Sequence, residues 1–468
     1  MKNTNKQSLK KNLLVWQWSL ILLFSLFSCD DFLEVDLPTS QLNTPFVFEN
    51  YTTANAAMVD VYAKIRDNGI ISGNNMGLGA SLGAYTDELD FFGPPSSSLN
   101  FFFSNTVLPT TATMETWWNN SFNNIYAANT VYKGVENATT LSQENKKQLK
   151  GEALFVRALI HFHLVNVFGE IPYITSTDYR ENQSVSKLST QAIYNLIIVD
   201  LEDAKLLLPE NNFGGTRVRP NKSVAAALLA RVYLYNQNWP AAANEASYIL
   251  NQTGVYALPT SINNTFLIQS PSTIWQLMPQ ASGRNTLEGS TFIFLTGPPS
   301  SMALSNQLRN AFEANDQRKV NWIKEVTNAN GTWYHAFKYK QRTITATSQE
   351  YSVVFRLAEQ ILIRAEARAR QGETLNAIED LNKIRTQAGL PPTTAVTQDE
   401  ILAAIFQERK VEFFSEFGHR FFDLKRQNNL DVILNQTKPG WNTHMKKLPI
   451  PQRELLLNPN LLPQNDGY

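Results

Sequence analysis

Residues 354–388 read VFRLAEQILIRAEARARQGETLNAIEDLNKIRTQA, and this stretch decides the fold. Two segments with helical apolar spacing flank Gly372, a residue suited to a tight turn. Ala365 precedes the turn, Ala377 follows it twelve residues later, and Leu381 and Ile384 lie behind. Small residues at that offset let two antiparallel helices approach closely.

Outward from there the same offset recurs. In 221–252, Ala230 and Ala242 are twelve apart, the first helix ends near Asn238, and the second carries Ala246 and Ile249. The repetition points to tetratricopeptide-like helix pairs; the plainer alternative is generic Ala-rich hairpins. Upstream, Leu149, Ala153, Val156, Ile160, Leu164 and Val167 step by three and four, one face of a long helix stopped by Gly169 and Pro172. A partner helix is predicted at about 190–208, closed by Pro209, and helices at 46–66 and 112–137 flank a Gly-, Ser-, Pro- and Phe-rich stretch. Residues 255–350 change character. Thr273 to Leu277 and Trp333 to Lys340 alternate and are aromatic, and Asn330-Gly331 suits a hairpin turn, so loops and short strands are expected. A last long helix after Gln398 carries Ile401, Ile405, Phe406 and Phe413. The fold class is mainly α.

Composition narrows the function. The chain has 468 residues, 41 Lys+Arg against 41 Asp+Glu, 43% hydrophobic and 11% aromatic residues, so it can bury a sizeable core. Zero net charge removes the usual electrostatic case for nucleic acid. One cysteine and five histidines exclude a disulfide framework and Cys-rich metal sites, and leave little for His-based catalysis. No cofactor is implied.

Residues 1–28 have the pattern of a signal peptide. Lys2, Lys6, Lys10 and Lys11 precede an apolar run from Leu13 to Phe27, shorter than the roughly 20 residues of a spanning helix. The run ends in Leu26-Phe27-Ser28-Cys29, which resembles a lipobox whose cysteine is acylated; the alternative is an ordinary signal peptide with a coincidental Cys29. Asp30 and Asp31 resemble a surface-export signal. No later segment reads as long or apolar enough to cross a bilayer, so a lipid anchor would hold an otherwise water-soluble protein.

Several blocks then assemble into a resemblance. Trp118 with Tyr126 and Asn129, Glu152 to Ala158, and Phe168-Gly169-Glu170-Ile171-Pro172 resemble the N-terminal half of SusD/RagB-like proteins. Glu408 to Phe413, Gly418 to Arg426, Leu448-Pro449-Ile450-Pro451 and Asn458-Pro459-Asn460-Leu461 resemble the C-terminal signature. The resemblance runs from Cys29 to Tyr468, dividing into 29–220 and 221–468 within one composite domain. It implies a cell-surface lipoprotein of the outer membrane, with about four tetratricopeptide-like helix pairs supporting an irregular ligand lobe at 255–350. Such proteins cap a TonB-dependent, SusC-like β-barrel transporter and capture nutrient, usually oligosaccharide, without catalysis. The alternatives are a peptide or glycopeptide ligand, or a scaffold that binds only proteins.

The signature charges Glu408, Arg409, Glu412, Arg420, Asp423 and Arg426 read as a salt-bridged brace rather than ligand contacts. Glu152 and Arg157 lie on different helix faces and should brace different neighbours. Gly79-Ala80-Ser81-Leu82-Gly83 spells a nucleophile elbow but lacks the preceding strand, and a flexible loop is expected. His161 and His163 diverge by about 200° on a helix and cannot share a metal. Pyranose faces stack on aromatic rings, each contact contributing about 1 kcal/mol, while hydroxyls need planar polar partners. Candidate glycan contacts are Phe91 and Phe92 beside Asp87 and Asp90, and Trp322, Trp333 and Tyr334 with Arg284. Trp275 is assigned to the core, and Phe101, Phe102 and Phe103 to plugging the insertion onto core or partner.

Overall fold

A computed structural model describes residues 44–212 and 215–468, so Cys29 and the segment before it lie outside the described residues. After a five-residue helix, Thr44–Phe48, come helix α1 (Tyr51–Asn68), short helix α2 (Leu78–Tyr85) and strand β1 (Leu89–Phe91). Then come α3 (Ala112–Asn137), α4 (Gln143–Phe168), α5 (Thr190–Leu207), α6 (Lys222–Tyr235) and α7 (Trp239–Leu250). Strands β2 (Thr273–Leu277), β3 (Met302–Leu304), β4 (Ile323–Asn328), β5 (Gly331–Ala336) and β6 (Ser352–Arg356) follow. The chain ends with α8 (Leu357–Arg370), α9 (Thr374–Gln387), α10 (Gln398–Glu412), α11 (His419–Arg426), and the short helices Leu430–Thr437 and Gln452–Leu457 within irregular segments.

From α3 to α10 each helix packs on its successor, and α1 lies against α3 and α4, an order that groups into four successive pairs and a final helix. Ala230, Ala242, Ala365 and Ala377 are all fully buried, which is what the twelve-residue offset requires at a close helix crossing. Short links after α6 and α8 force antiparallel partners. The capping box of Thr397 and Glu400 starts α10.

Two expectations are corrected here. Helix α4 is buried from Gln148 to Phe168 on every side except Lys150, not on one face. It is long and apolar enough to cross a membrane, with mean hydropathy 1.2, yet the whole of that window is inside the protein. It is a central core helix. Residues Gly79 to Gly83 form part of helix α2 rather than a flexible loop. Gly79 is there for contact: a Cβ would lie 2.8 Å from the Ser415 carbonyl oxygen. Ser81 is buried in mid-helix with no strand before it, so no nucleophile elbow exists.

The strands form three antiparallel pairs, β1 with β3, β2 with β6, and the hairpin β4–β5. In the hairpin Asn328 opposes Gly331, so Ala329 and Asn330 form the turn, one residue earlier than the Asn-Gly pattern suggested. The β2–β6 pair, with Trp275 fully buried, seats the irregular lobe on the helix array.

The C-terminal signature is the brace expected of it. Arg356 at the end of β6 donates to Glu412 at 2.5 Å and to Glu416 at 2.9 Å, and Lys338 also meets Glu416. Arg318 joins Asp316 at 2.8 Å, Glu408 at 2.5 Å and Glu412 at 2.9 Å. Arg409 and Arg426 share Asp423, and Arg426 reaches Glu366 on α8 at 2.6 Å. Upstream, Glu152 accepts from Tyr62 and Arg219, while Arg157 pairs with Asp200 at 2.5 Å, so the two do brace different neighbours. Buried charges need such partners, because removing one side of a buried pair costs about 3–5 kcal/mol.

Candidate functional site

Strand β1 and the segment after it place Phe91 and Phe92. Phe91 opposes Met302 of β3, and its half-buried ring packs on Phe103 at 6.5 Å. Phe92 donates its amide to the Ser301 carbonyl at 2.7 Å and is 43% exposed. On the hairpin, Trp333 is half-buried, and its indole lies over Gly297, where a Cβ would come within 2.2 Å of the ring. Asn328 holds the Gly297 carbonyl at 2.5 Å. The segment Gly297–Ser301 thus joins the two candidate regions, with Phe92 at one end and Trp333 at the other. Sequence reasoning had them 241 residues apart in two insertions.

The other candidates part company. Trp322 ends a short helix, Gln317–Trp322, and is only 1% exposed. Its ring packs against Phe266 at 5.5 Å and its indole N–H donates to the Ile262 carbonyl, so it is a core residue and no glycan platform. Tyr334, on the opposite side of β5 from Trp333, has the Arg309 guanidinium 3.4 Å from its ring centroid, so that face is taken. Asp87 is buried and spends both carboxylate oxygens on Arg420, at 2.7 and 2.9 Å, and on Lys410 at 2.9 Å. Burial alone would raise its pKa, but Arg420 and Lys410 outweigh it and hold the carboxyl well below the usual range. Asp87 belongs to the brace. Of Phe101, Phe102 and Phe103, Phe102 is wholly in the core and the other two lean on it.

Asp90 borders a separate recess with Lys438 and Asn105. Burial raises the Asp90 carboxyl pKa against the pull of Lys438. Burial also brings the Lys438 ammonium down to about 8, although it donates to the Ala84 carbonyl at 2.7 Å. Lys438 carried no functional motif in the sequence.

Arg284 lines another recess, whose walls include none of the candidate aromatics. Arg66, Arg342, Asn285 and Glu288 share it. Glu288, in a short helix Leu287–Phe292, is buried; one carboxylate oxygen accepts from Ser352 and the other has no partner. Burial pushes its pKa up to about 7. Neither Arg342 nor Glu288 is among the site residues the sequence suggests. Both sit in a stretch that has no periodicity; Glu288 lies four residues after Arg284, and the pairing of Asn285 with Thr343 and Thr345 brings Arg342 near them.

Nothing in this geometry suggests chemistry on a substrate. His161 and His163 each bond the carbonyl four residues earlier at 2.8 Å, and burial pushes both down to about 3, so they stay neutral. Among the described residues no group of three His, Cys, Asp or Glu could hold a metal ion.

Comparisons with known proteins agree with the architecture. A family model described as starch-binding, associating with the outer membrane, matches residues 31–234, and a SusD/RagB model described as the SusD family matches 300–468. SusD-like protein P25 of Formosa agariphila is 26% identical, spanning 98% of this chain and 99% of that protein. SusD-like protein P2 of the same bacterium is 28% identical over 72% of this chain and 78% of its own length. A solved laminarin-binding SusD-like protein superimposes with a TM-score of 0.76 at 25% identity, covering 90% of this chain and all of that one. A SusD superfamily protein from Bacteroides vulgatus gives a TM-score of 0.78 at 21% identity, again over 90% of this chain and all of the other.

Proposed function

Because the chain belongs to the SusD/RagB family, we propose that it is a surface lipoprotein of the outer membrane that captures oligosaccharide and passes it to a TonB-dependent barrel transporter. The family is one of binding proteins, not enzymes, and the neutral, buried histidines fit that description. In this reading Cys29 carries the lipid, the helix array is the rigid support, and the lobe is the ligand surface. The observation that carries the reading is the joining of the Phe92 backbone and the Trp333 ring through Gly297–Ser301, with both residues partly exposed. Stacking of sugar faces there would contribute about 1 kcal/mol per ring. The similarity to a protein that binds laminarin supports carbohydrate as the ligand class.

The test is a glycan array followed by calorimetry on the full chain and on the double variant Phe92→Ala/Trp333→Ala. Glycan binding that drops at least ten-fold in the double variant, with an unchanged melting temperature, is expected. Full binding in that variant would remove the aromatic surface from the site. Turnover of the bound glycan would overturn the non-catalytic reading.

A further inference from the structure

The recess that holds Arg284 is built differently from the aromatic surface. Its walls carry three arginines and no aromatic ring. Arg66 is neutralised by its neighbour: Nε and a terminal nitrogen grip both oxygens of Asp67 at 2.7 and 2.6 Å. Arg284 and Arg342 are exposed, and neither side chain makes an ion pair or hydrogen bond among the described residues. No carboxylate other than Asp67 and Glu288 lines the recess. Glu288 is buried and carries an unpartnered oxygen.

The two free guanidinium groups are not on independent floppy loops. The Asn285 side chain donates to the Thr343 carbonyl at 3.1 Å and to the Thr345 hydroxyl at 2.9 Å, and accepts from the Gln349 and Glu350 amides. The Thr345 amide donates to the Gly283 carbonyl at 2.9 Å. Gly283 sits at φ +80°, and a Cβ there would lie 2.5 Å from the Thr345 carbonyl oxygen, so the staple needs glycine. Arg284 follows one stapled residue and Arg342 precedes another. The loop pairing therefore presents two uncompensated planar cations to one recess. Guanidinium forks match carboxylate and sulfate oxygens in pairs of hydrogen bonds.

We infer that this recess binds an anionic substituent on the glycan, a uronate carboxylate or a sulfate ester, so that the cargo is an acidic carbohydrate. The inference rests on the glycan-binding reading and narrows its ligand class. The rings at Phe92 and Trp333 would take sugar faces, while Arg284 and Arg342 would take charge. Because burial raises the Glu288 pKa to about 7, its carboxyl opposes an anion less than an ordinary glutamate would.

Calorimetry on the full chain with three probes tests this: an oligogalacturonate, a sulfated galactan oligosaccharide and a neutral β-glucan of equal length. At least one acidic probe is expected to bind ten-fold or more tightly than the neutral one, with the advantage shrinking as salt rises from 50 to 500 mM, since these guanidinium groups face solvent. In Arg284→Gln/Arg342→Gln the advantage should vanish, while the melting temperature stays unchanged. Which of the two acidic probes carries the larger advantage at neutral pH identifies the substituent. Equal affinity for all three probes, or a preference that survives in the double variant, overturns the inference and leaves the glycan-binding reading standing. Absence of binding to any glycan overturns both.

Discussion

The C-terminal brace and the lobe recess both gather arginines, yet the two regions put them to opposite uses. Arg318 and Arg356 are within a few per cent of full burial, and each is met by two or more carboxylates. Arg284 and Arg342 are exposed and meet none. The tryptophans repeat the lesson eleven residues apart: Trp322 is enclosed by Phe266 and the Ile262 carbonyl, while Trp333 lies half open over Gly297. A charge that is desolvated and paired has given up its binding capacity to the fold. One left hydrated and unpaired keeps it. Residue type decides little until burial and partners are known.

The sharpest way to break that contrast is to remove one arginine from each region. Arg356→Met leaves Glu412 and Glu416 buried and short of a partner, and the unfolding free energy should fall by about 4 kcal/mol. Arg342→Met removes no partner and should change it by less than about 0.5 kcal/mol. Denaturant titration of both variants checks the pair, and equal effects would erase the distinction. Trp322→Ala, which empties a filled core site, should cost about 3–5 kcal/mol of stability while leaving glycan affinity of the folded protein unchanged. A selective affinity loss with no change in stability would return Trp322 to the site.

The brace also makes an acid-sensitive prediction that the lobe does not. Burial alone would raise the Glu412 carboxyl pKa, but Arg356 and Arg318 bring it down to about 2 from its ordinary 4.5. A depressed carboxylate stabilises the fold fully above its unfolded value, and the contribution is lost as pH falls from about 4.5 towards 2. Urea midpoints at pH 6 and pH 3 should therefore diverge in the natural sequence. In Glu412→Gln the curve starts lower, and the gap between the two pH values narrows. An unchanged gap would mean that Glu412 is not held ionised by its arginines.

Much of this was legible in the sequence, and for identifiable reasons. Ala230, Ala242, Ala365 and Ala377 announced close helix contacts because only small side chains fit there. The signature charges announced a brace because alternating signs beside aromatic residues must pair when buried. Periodicity could not show that α4 is enclosed on all sides, since one apolar face already satisfies the helical pattern. Glycine content suggested a loop at Gly79 to Gly83, whereas those glycines serve the close packing of a buried helix. The site was harder. Trp322 and Trp333 look alike in a sequence with no regular period, and Asp87 looks like any acidic residue until Arg420 closes on it. Arg342 became a candidate only through the Asn285 staple, a contact between residues 58 and 60 positions apart.

The finest form of the comparison lies within one strand. Trp333 and Tyr334 are adjacent on β5, so their side chains leave opposite faces of the hairpin. The Tyr334 ring carries Arg309 at 3.4 Å and packs against the core, while Trp333 is half-buried over Gly297 with no cation on its ring among the described residues. Trp333→Ala should therefore weaken glycan binding by about 1 kcal/mol, roughly five-fold, with little effect on melting. Tyr334→Ala should do the reverse, lowering stability by about 1 kcal/mol through the lost cation–π contact and packing, with affinity within two-fold of the parent. Calorimetry and thermal melts on the two single variants decide it. If both residues moved affinity alike, the Trp333 indole alone would not be what holds the sugar, and the ligand surface would have to extend around the hairpin to Arg309.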